Sequence, residues 1–130
     1  MRNLNKKYIN FTVINALKED LAPLGDLTTN LLTWKNKIIK AKIIAKQDGV
    51  IAGLDFCKTS FEKLGKETVF YKKKKDGSKI KKNEVIAIIK AKTKTILTAE
   101  RTALNFLNHA SGIATLTSKF VKQVGKKTKI

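Results

Sequence analysis

The chain has 130 residues, enough for one domain or a part of a larger protein, and the 42% that are hydrophobic allow a modest core. It is too short for a complete eight-stranded α/β barrel, which needs roughly 200 residues or more, and it has neither an apolar run long enough to span a membrane nor the apolar core of a signal peptide. One cysteine and one histidine exclude an internal disulfide and a zinc cluster. We therefore expect a protein of the reducing cytoplasm, with Cys57 as a small core residue on a helix.

The formal net charge is +18, which makes nucleic acid the first partner to consider. The lysines are spread through the whole chain alongside abundant isoleucine and asparagine, which indicates a uniform compositional bias rather than a basic patch. The densest run, YKKKK at residues 71–75, precedes Asp76 and Gly77 and is expected on an exposed strand and turn. We predict no specific nucleic-acid partner, although weak, salt-sensitive binding would follow from the charge.

Helices are predicted where apolar residues recur every three or four positions, and strands where they alternate or form short runs between turn residues. In chain order, the predicted elements are a helix over 8–21, strands over 37–46 and 50–52, a helix over 54–64 capped by Gly65, strands over 68–74, 84–89 and 93–97, and helices over 98–110 and 113–124. This order predicts an α+β fold with a small mixed or antiparallel sheet and flanking helices.

The two predicted C-terminal helices are separated by Ser111 and Gly112. Thr98 is the predicted N-cap of the first. The second is predicted to turn Leu116, Phe120 and Val124 inward.

Arg101 is the strongest candidate for a functional side chain, because the only other arginine is Arg2, beside the start methionine. A guanidinium can hold a carboxylate or phosphate with two parallel hydrogen bonds, which an ammonium does poorly. The sequence places Arg101 in the first turn of its helix, where the dipole disfavours a cation and a bound anion would compensate. The alternative is an exposed arginine that pairs with a carboxylate or lies along the helix.

The other polar candidates have ordinary structural explanations as well. Asp20 and Asp26 could be metal or hydroxyl ligands, or could cap and form turns. His109 is expected near a helix end, and Asn105 and Asn108 are expected to face solvent or a subunit. No phosphate-binding glycine loop and no nucleophile–base pair is present, so we expect no catalytic residue and no metal site within this chain.

Two segments, ALKEDLAPLGDLTT (16–29) and TAERTALNFLNHASGIATLT (98–117), resemble quinolinate phosphoribosyltransferase, also called nicotinate-nucleotide pyrophosphorylase (carboxylating). GVIAG (49–53) and the turn at 76–77 match the same N-terminal region in order and spacing. The resemblance implies an N-terminal, hammerhead-like α/β sandwich that precedes an open α/β barrel. It also implies an enzyme that uses Mg²⁺ to convert quinolinate and phosphoribosyl pyrophosphate to nicotinate mononucleotide, pyrophosphate and CO2 for NAD synthesis.

For this chain, the resemblance implies an N-terminal domain over 1–110 and, over 111–130, a connecting helix and the start of the barrel. Arg101 would bind a quinolinate carboxylate in the partner subunit's site, in a homodimer or a hexamer. The DTRKT-type segment expected next, and the residues that hold the phosphoribosyl group and metal, have no counterpart in the sequence. We therefore expect a truncated or split product, or a fragment, that is inactive alone.

Three alternatives remain open from the residues. A molybdenum-utilisation homologue shares the helix motif but is thought to act on another substrate. A basic module could bind nucleic acid without using Arg101. A biotinyl- or lipoyl-like carrier is suggested by the hairpins, but no recognisable modification lysine stands at a hairpin tip.

Overall fold

The computed structural model of the chain describes residues 4–21 and 37–125, which form an α+β fold. The helices are α1 (Lys6–Leu21), α2 (Leu54–Leu64) and α3 (Thr93–Val124). The strands are β1 (Ile38–Ile44), β2 (Gly49–Val50), β3 (Val69–Lys72), β4 (Lys79–Ile80) and β5 (Val85–Lys92). The fold class predicted from the sequence is confirmed.

An antiparallel sheet of three strands, in the order β1-β5-β3, forms one layer of the fold. The central strand is β5, whose Lys90 lies between Lys40 of β1 and Val69 of β3, and whose Lys92 pairs with Ile38. The short strands β2 and β4 form a separate antiparallel pair. Since side chains alternate along a strand, one face of the larger sheet is free to pack against helices.

The core lies between that sheet and the helices α2 and α3. On α2 and α3 the apolar residues recur at helical spacing, and on β5 they alternate with outward-facing residues, so each element presents one apolar face. The buried side chains at this contact include Leu54, Cys57 and Phe61 of α2, Ala87, Ile89 and Ala91 of β5, and Ala99, Ala103 and Leu107 of α3.

Helix α1 packs on the far side of α2 and α3 rather than on the sheet. Its buried residues Ile9, Val13 and Leu17 contact Phe56 of α2 and Phe106 of α3. The two phenylalanine rings stack with their centroids 5.2 Å apart. The predicted N-terminal amphipathic helix is thus confirmed, and it contacts both other helices.

The C-terminal part of the prediction was wrong, because α3 is one continuous helix of 32 residues. Residues 93–97 form its first turn instead of a strand, and its N-cap is Lys92 instead of Thr98. Thr95, Ile96 and Ala99 are buried along one helical face, and this burial outweighs the strand preference of the β-branched residues. The domain boundary predicted after residue 110 falls inside α3 and stays a prediction.

Two further features differ from expectation. The strand predicted over 50–52 is the shorter β2 at Gly49–Val50, which pairs with β4, with Gly49 opposite Ile80. The predicted inward face of the last helix is also wrong, since Leu116 is 70% and Phe120 is 54% exposed. We call Ile113, Leu116 and Phe120 the distal face of α3.

Candidate substrate-contacting helix

Arg101 lies in the third turn of α3, eight residues after its start, and its side chain is exposed. The dipole argument from the sequence therefore does not apply, because the field of the helix end falls off within the first turn. The salt bridges among the described residues join Lys72 to Asp55 and Lys74 to Glu84. Within the described part of the chain, the guanidinium of Arg101 has no ion-pair partner and is presented to solvent.

The axis of α3 is fixed by hydroxyl groups that bond to the chain around β2. The Thr115 hydroxyl accepts from the Val50 N–H at 2.9 Å, and the Ser111 hydroxyl accepts from the Ala52 N–H at 3.0 Å. The Ser111 hydroxyl also donates to the Ala52 carbonyl at 3.1 Å. Four helical residues rise about 6.0 Å and two strand residues about 6.6 Å, so the two spacings match. We call these four residues the hydroxyl clasp.

Two glycines let the helix approach this closely. A Cβ on Gly49 would lie 2.7 Å from the Thr115 hydroxyl oxygen. Gly53 has a φ of +88°, and a Cβ there would lie 3.0 Å from the Ala110 Cβ and 3.1 Å from the Phe106 carbonyl oxygen. The GVIAG segment and residues 111–115 (SGIAT) of the 98–117 segment are therefore two sides of one contact.

A polar groove of about 720 Å³ lies between α1 and α3. Its polar lining residues are Glu19, Asp20, Thr102, Asn105, Asn108 and His109. Arg101 precedes Asn105 by four residues, so the two side chains are neighbours on the surface of α3. The structure thus brings Asp20 of α1 together with Asn105, Asn108 and His109 of α3.

Asp20 has a structural partner in this groove. Its carboxylate accepts a hydrogen bond of 2.5 Å from the hydroxyl of Thr102, whose side chain is buried. This bond joins α1 to α3 across 82 residues of sequence. The bond to Thr102 gives Asp20 a structural role, which is neither the metal site nor the cap or turn considered from the sequence. Asp26 lies outside the described residues.

The described residues do not fit a Mg²⁺ site. No group of three histidine, cysteine or carboxylate side chains converges in the described ranges. The carboxylate of Asp20 is engaged by Thr102, and a hard divalent cation needs several oxygen ligands.

Cys57 is a core residue, as expected. Its side chain is fully buried, and burial raises the pKa of the thiol to about 12. A thiol with this pKa stays neutral at physiological pH and is a poor nucleophile. Cys57 is therefore excluded as a catalytic group.

The YKKKK run lies at the exposed end of β3, and two of its lysines are neutralised locally. Lys72 pairs with Asp55 of α2, and Lys74 pairs with Glu84 at 2.6 Å. The hydrogen bonds from Lys74 and from the Lys81 N–H lower the pKa of the Glu84 carboxyl. The run is not a free block of positive charge.

The sequence profile of the family described as "Quinolinate phosphoribosyl transferase, N-terminal domain" matches residues 26–111. The chain belongs to this family. A probable nicotinate-nucleotide pyrophosphorylase (carboxylating) of Archaeoglobus fulgidus is 39% identical over 101 residues, which are 78% of this chain and 37% of that protein. The nicotinate-nucleotide pyrophosphorylase (carboxylating) of Mycobacterium leprae is 32% identical over 124 residues, 92% of this chain and 43% of that protein.

Solved structures of the quinolinate phosphoribosyltransferase family share the fold. The nicotinate-nucleotide pyrophosphorylase from Francisella tularensis superposes with a TM-score of 0.85 at 32% identity, over 92% of this chain and 42% of that one. The chain thus spans about two fifths of the length of the curated relatives named above, in the region of their N-terminal domain. None of the described helices is long and apolar enough to cross a membrane.

Proposed function

We propose that this chain is the N-terminal part of an enzyme that converts quinolinate and phosphoribosyl pyrophosphate to nicotinate mononucleotide, pyrophosphate and CO2. Membership of the family supports the reaction class, and the names of the relatives support the substrates. The observation that carries the proposal is Arg101, an exposed guanidinium without an ion-pair partner among the described residues. The remaining part of the relatives' length would supply the other substrate contacts.

In this proposal, Arg101 binds a carboxylate of quinolinate in the site of a partner subunit of a homodimer. Quinolinate carries two carboxylates, and a planar guanidinium can meet one of them with two parallel hydrogen bonds. The position of Arg101 favours delivery to a neighbour, because α3 presents it outward and no described residue forms an ion pair with it. Mg²⁺ would be held by residues outside the described ranges, and a cytoplasmic location fits the buried, unpaired Cys57.

The donation of Arg101 can be tested in a chimera in which residues 1–130 precede the remaining sequence of the Mycobacterium leprae relative. Arg101→Ala should abolish most quinolinate turnover. This variant is then mixed with a second chimera whose Arg101 is intact but whose own quinolinate site, in the remaining sequence, is inactivated. Random exchange of subunits should restore about a quarter of the wild-type activity, because half of the dimers regain one site.

Absence of recovery, with exchange of labelled subunits confirmed, would contradict donation between subunits. Lys122→Ala is the matched control, since it removes the same charge from α3 about 32 Å further along the helix axis. It should retain full activity and should not need complementation.

The proposal also predicts that the 130-residue chain alone forms no nicotinate mononucleotide. Mixed with quinolinate, phosphoribosyl pyrophosphate and Mg²⁺, it offers Arg101 to a site but holds no metal-binding cluster in the described ranges. Chromatographic detection of nicotinate mononucleotide, with the chimera as the positive control, measures this directly. Product formation by the pure chain would overturn the assignment of the other substrate contacts to the remaining sequence.

A further inference from the structure

One face of the three-stranded sheet is left uncovered by the described helices. We call it the outer sheet face. Alternation also places Ile86 of β5 on this side, but Ile86 is buried, so the uncovered part of the face ends before it. By strand alternation and register the outer sheet face comprises Ile38, Lys40 and Lys42 of β1, Ile88, Lys90 and Lys92 of β5, and Val69 and Tyr71 of β3. All of these side chains except Ile88 are exposed, whereas the alternate residues of β5 are buried under the helices.

The charge on this face is of one sign. Lys40 lies directly opposite Lys90 in the antiparallel register, and Lys42 and Lys92 follow two positions along the same two strands. Like charges in directly opposed positions destabilise a sheet. The strands β1, β3 and β5 contain no acidic residue at all. A bound polyanion would remove this repulsion.

The inner side of the same sheet shows the contrast. Lys72 of β3 points to the helix side, where it pairs with Asp55 of α2. At the end of the outer sheet face, Glu67 accepts a hydrogen bond from the main-chain N–H of Lys92. The unbalanced charge therefore centres on Lys40, Lys42 and Lys90.

An aromatic ring lies beside these lysines. Tyr71 is 52% exposed and pairs across the sheet with Ile88, which in turn pairs with Lys42. A row of Tyr71, Ile88 and Lys42 therefore crosses all three strands. Sheets that bind single-stranded nucleic acid combine exposed aromatic rings, on which bases stack, with basic side chains that contact phosphates.

We propose that the outer sheet face binds single-stranded nucleic acid without sequence preference. The aromatic ring favours this occupant over an acidic protein surface, because a stacked base uses the ring and its phosphate reaches the lysines. The sheet separates this face from α3, so binding here is independent of the role proposed for Arg101. The same chain could therefore hold both activities, and each can fail without the other.

The test measures fluorescence anisotropy of a labelled oligothymidylate of about 15 nucleotides at about 50 mM salt, with the 130-residue chain. Removing both opposed charges with Lys40→Gln/Lys90→Gln should weaken binding about tenfold or more. It should also reduce the slope of log affinity against log salt by about 1.4. The matched control is Lys18→Gln/Lys63→Gln, which removes two exposed charges from α1 and α2, away from the outer sheet face. This control should change affinity less than about twofold.

The ring is tested separately. Tyr71→Val should weaken binding about fivefold or more, and Tyr71→Phe, which keeps the aromatic face, should bind like the wild type. Circular dichroism establishes that each variant folds. If Lys18→Gln/Lys63→Gln weakens binding as much as Lys40→Gln/Lys90→Gln does, net charge alone drives binding and the proposal is overturned. A second contrary result is that unlabelled polyglutamate displaces the labelled oligonucleotide as well as unlabelled oligothymidylate does, while Tyr71→Val leaves binding unchanged. These two results together would indicate an acidic protein partner and would also overturn the proposal.

Discussion

Arg101 differs from the lysines around it in what its side chain can bind. A lysine at the same place would keep the charge but would offer a point contact in place of a planar fork. We expect Arg101→Lys in the chimeric enzyme to lower kcat/KM for quinolinate at least about tenfold, or about 1.4 kcal/mol. The KM for phosphoribosyl pyrophosphate should change much less. Steady-state kinetics with each substrate varied in turn measure the split, and unchanged quinolinate kinetics would rule out the assigned contact.

Cys57 predicts how stability depends on alkaline pH. Its folded pKa of about 12 lies above the ordinary 9.0, so the folded state binds the proton more tightly. The stability that this gives is fully present below pH 9 and is lost as the pH rises toward 12. Between pH 7.5 and pH 10, the wild type should lose roughly 1 to 2 kcal/mol more free energy of unfolding than Cys57→Ala. Urea titrations at both pH values test this, and equal losses would contradict the raised pKa.

At the scale of elements, apolar periodicity predicted the helices correctly where one face is clearly apolar. It wrongly divided the longest helix, α3, into a strand and two helices. The period of three and four identified α1 and α2 from residues such as Val13 and Phe61. Ser111 and Gly112 looked like a break because their local preferences are for caps and turns. The hydroxyl clasp decided the outcome, and it joins Ser111 to a residue 59 positions away. Local periodicity carries no information about such a contact.

The candidate site could likewise be predicted from the sequence only in part. Arg101 was identified from the sequence because its residue type is rare in this chain. The groove beside it was not, since Asp20 meets Thr102 only through the packing of α1 on α3. Two periodic segments can each be predicted, whereas the way they dock depends on side-chain packing along both.

The glycines at the hydroxyl clasp give a prediction for the docking of α3. Gly49→Ala should destabilise the chain by about 1–2 kcal/mol, because its Cβ would crowd the Thr115 hydroxyl. Gly53→Ala should cost about 2 kcal/mol or more, since it adds a strained positive φ to two close contacts. Gly112→Ala is the matched control. It has open space around it inside α3 and should stabilise by about 0.5–1 kcal/mol. Chemical denaturation ranks the three, and a destabilising Gly112→Ala would show that the helix is not continuous there.

At the scale of the molecule, the chain carries a well-packed core and a helix that extends beyond it. The buried residues of α3 all lie between Thr95 and Leu107, although the helix continues to Val124. The distal face belongs to neither buried apolar cluster of the described residues, and its three apolar side chains are each more than half exposed. The relatives are more than twice as long as the matched region, and their remaining sequence could cover such a face.

An uncovered apolar face of this kind should make the isolated chain associate. We expect the 130-residue chain to show a mass that rises with concentration in sedimentation velocity, because contiguous exposed apolar surface drives self-contact. Leu116→Glu/Phe120→Glu should keep it monomeric and leave its melting temperature nearly unchanged, since neither side chain contributes to the core. Phe11→Glu serves as the control, because it removes an aromatic side chain from α1 that is also more than half exposed, and it should not abolish association. If the wild type stays monomeric at all concentrations, the distal face is too small or too broken to act as an interface. A fall in melting temperature with Leu116→Glu/Phe120→Glu would instead mean that these residues are packed within the chain.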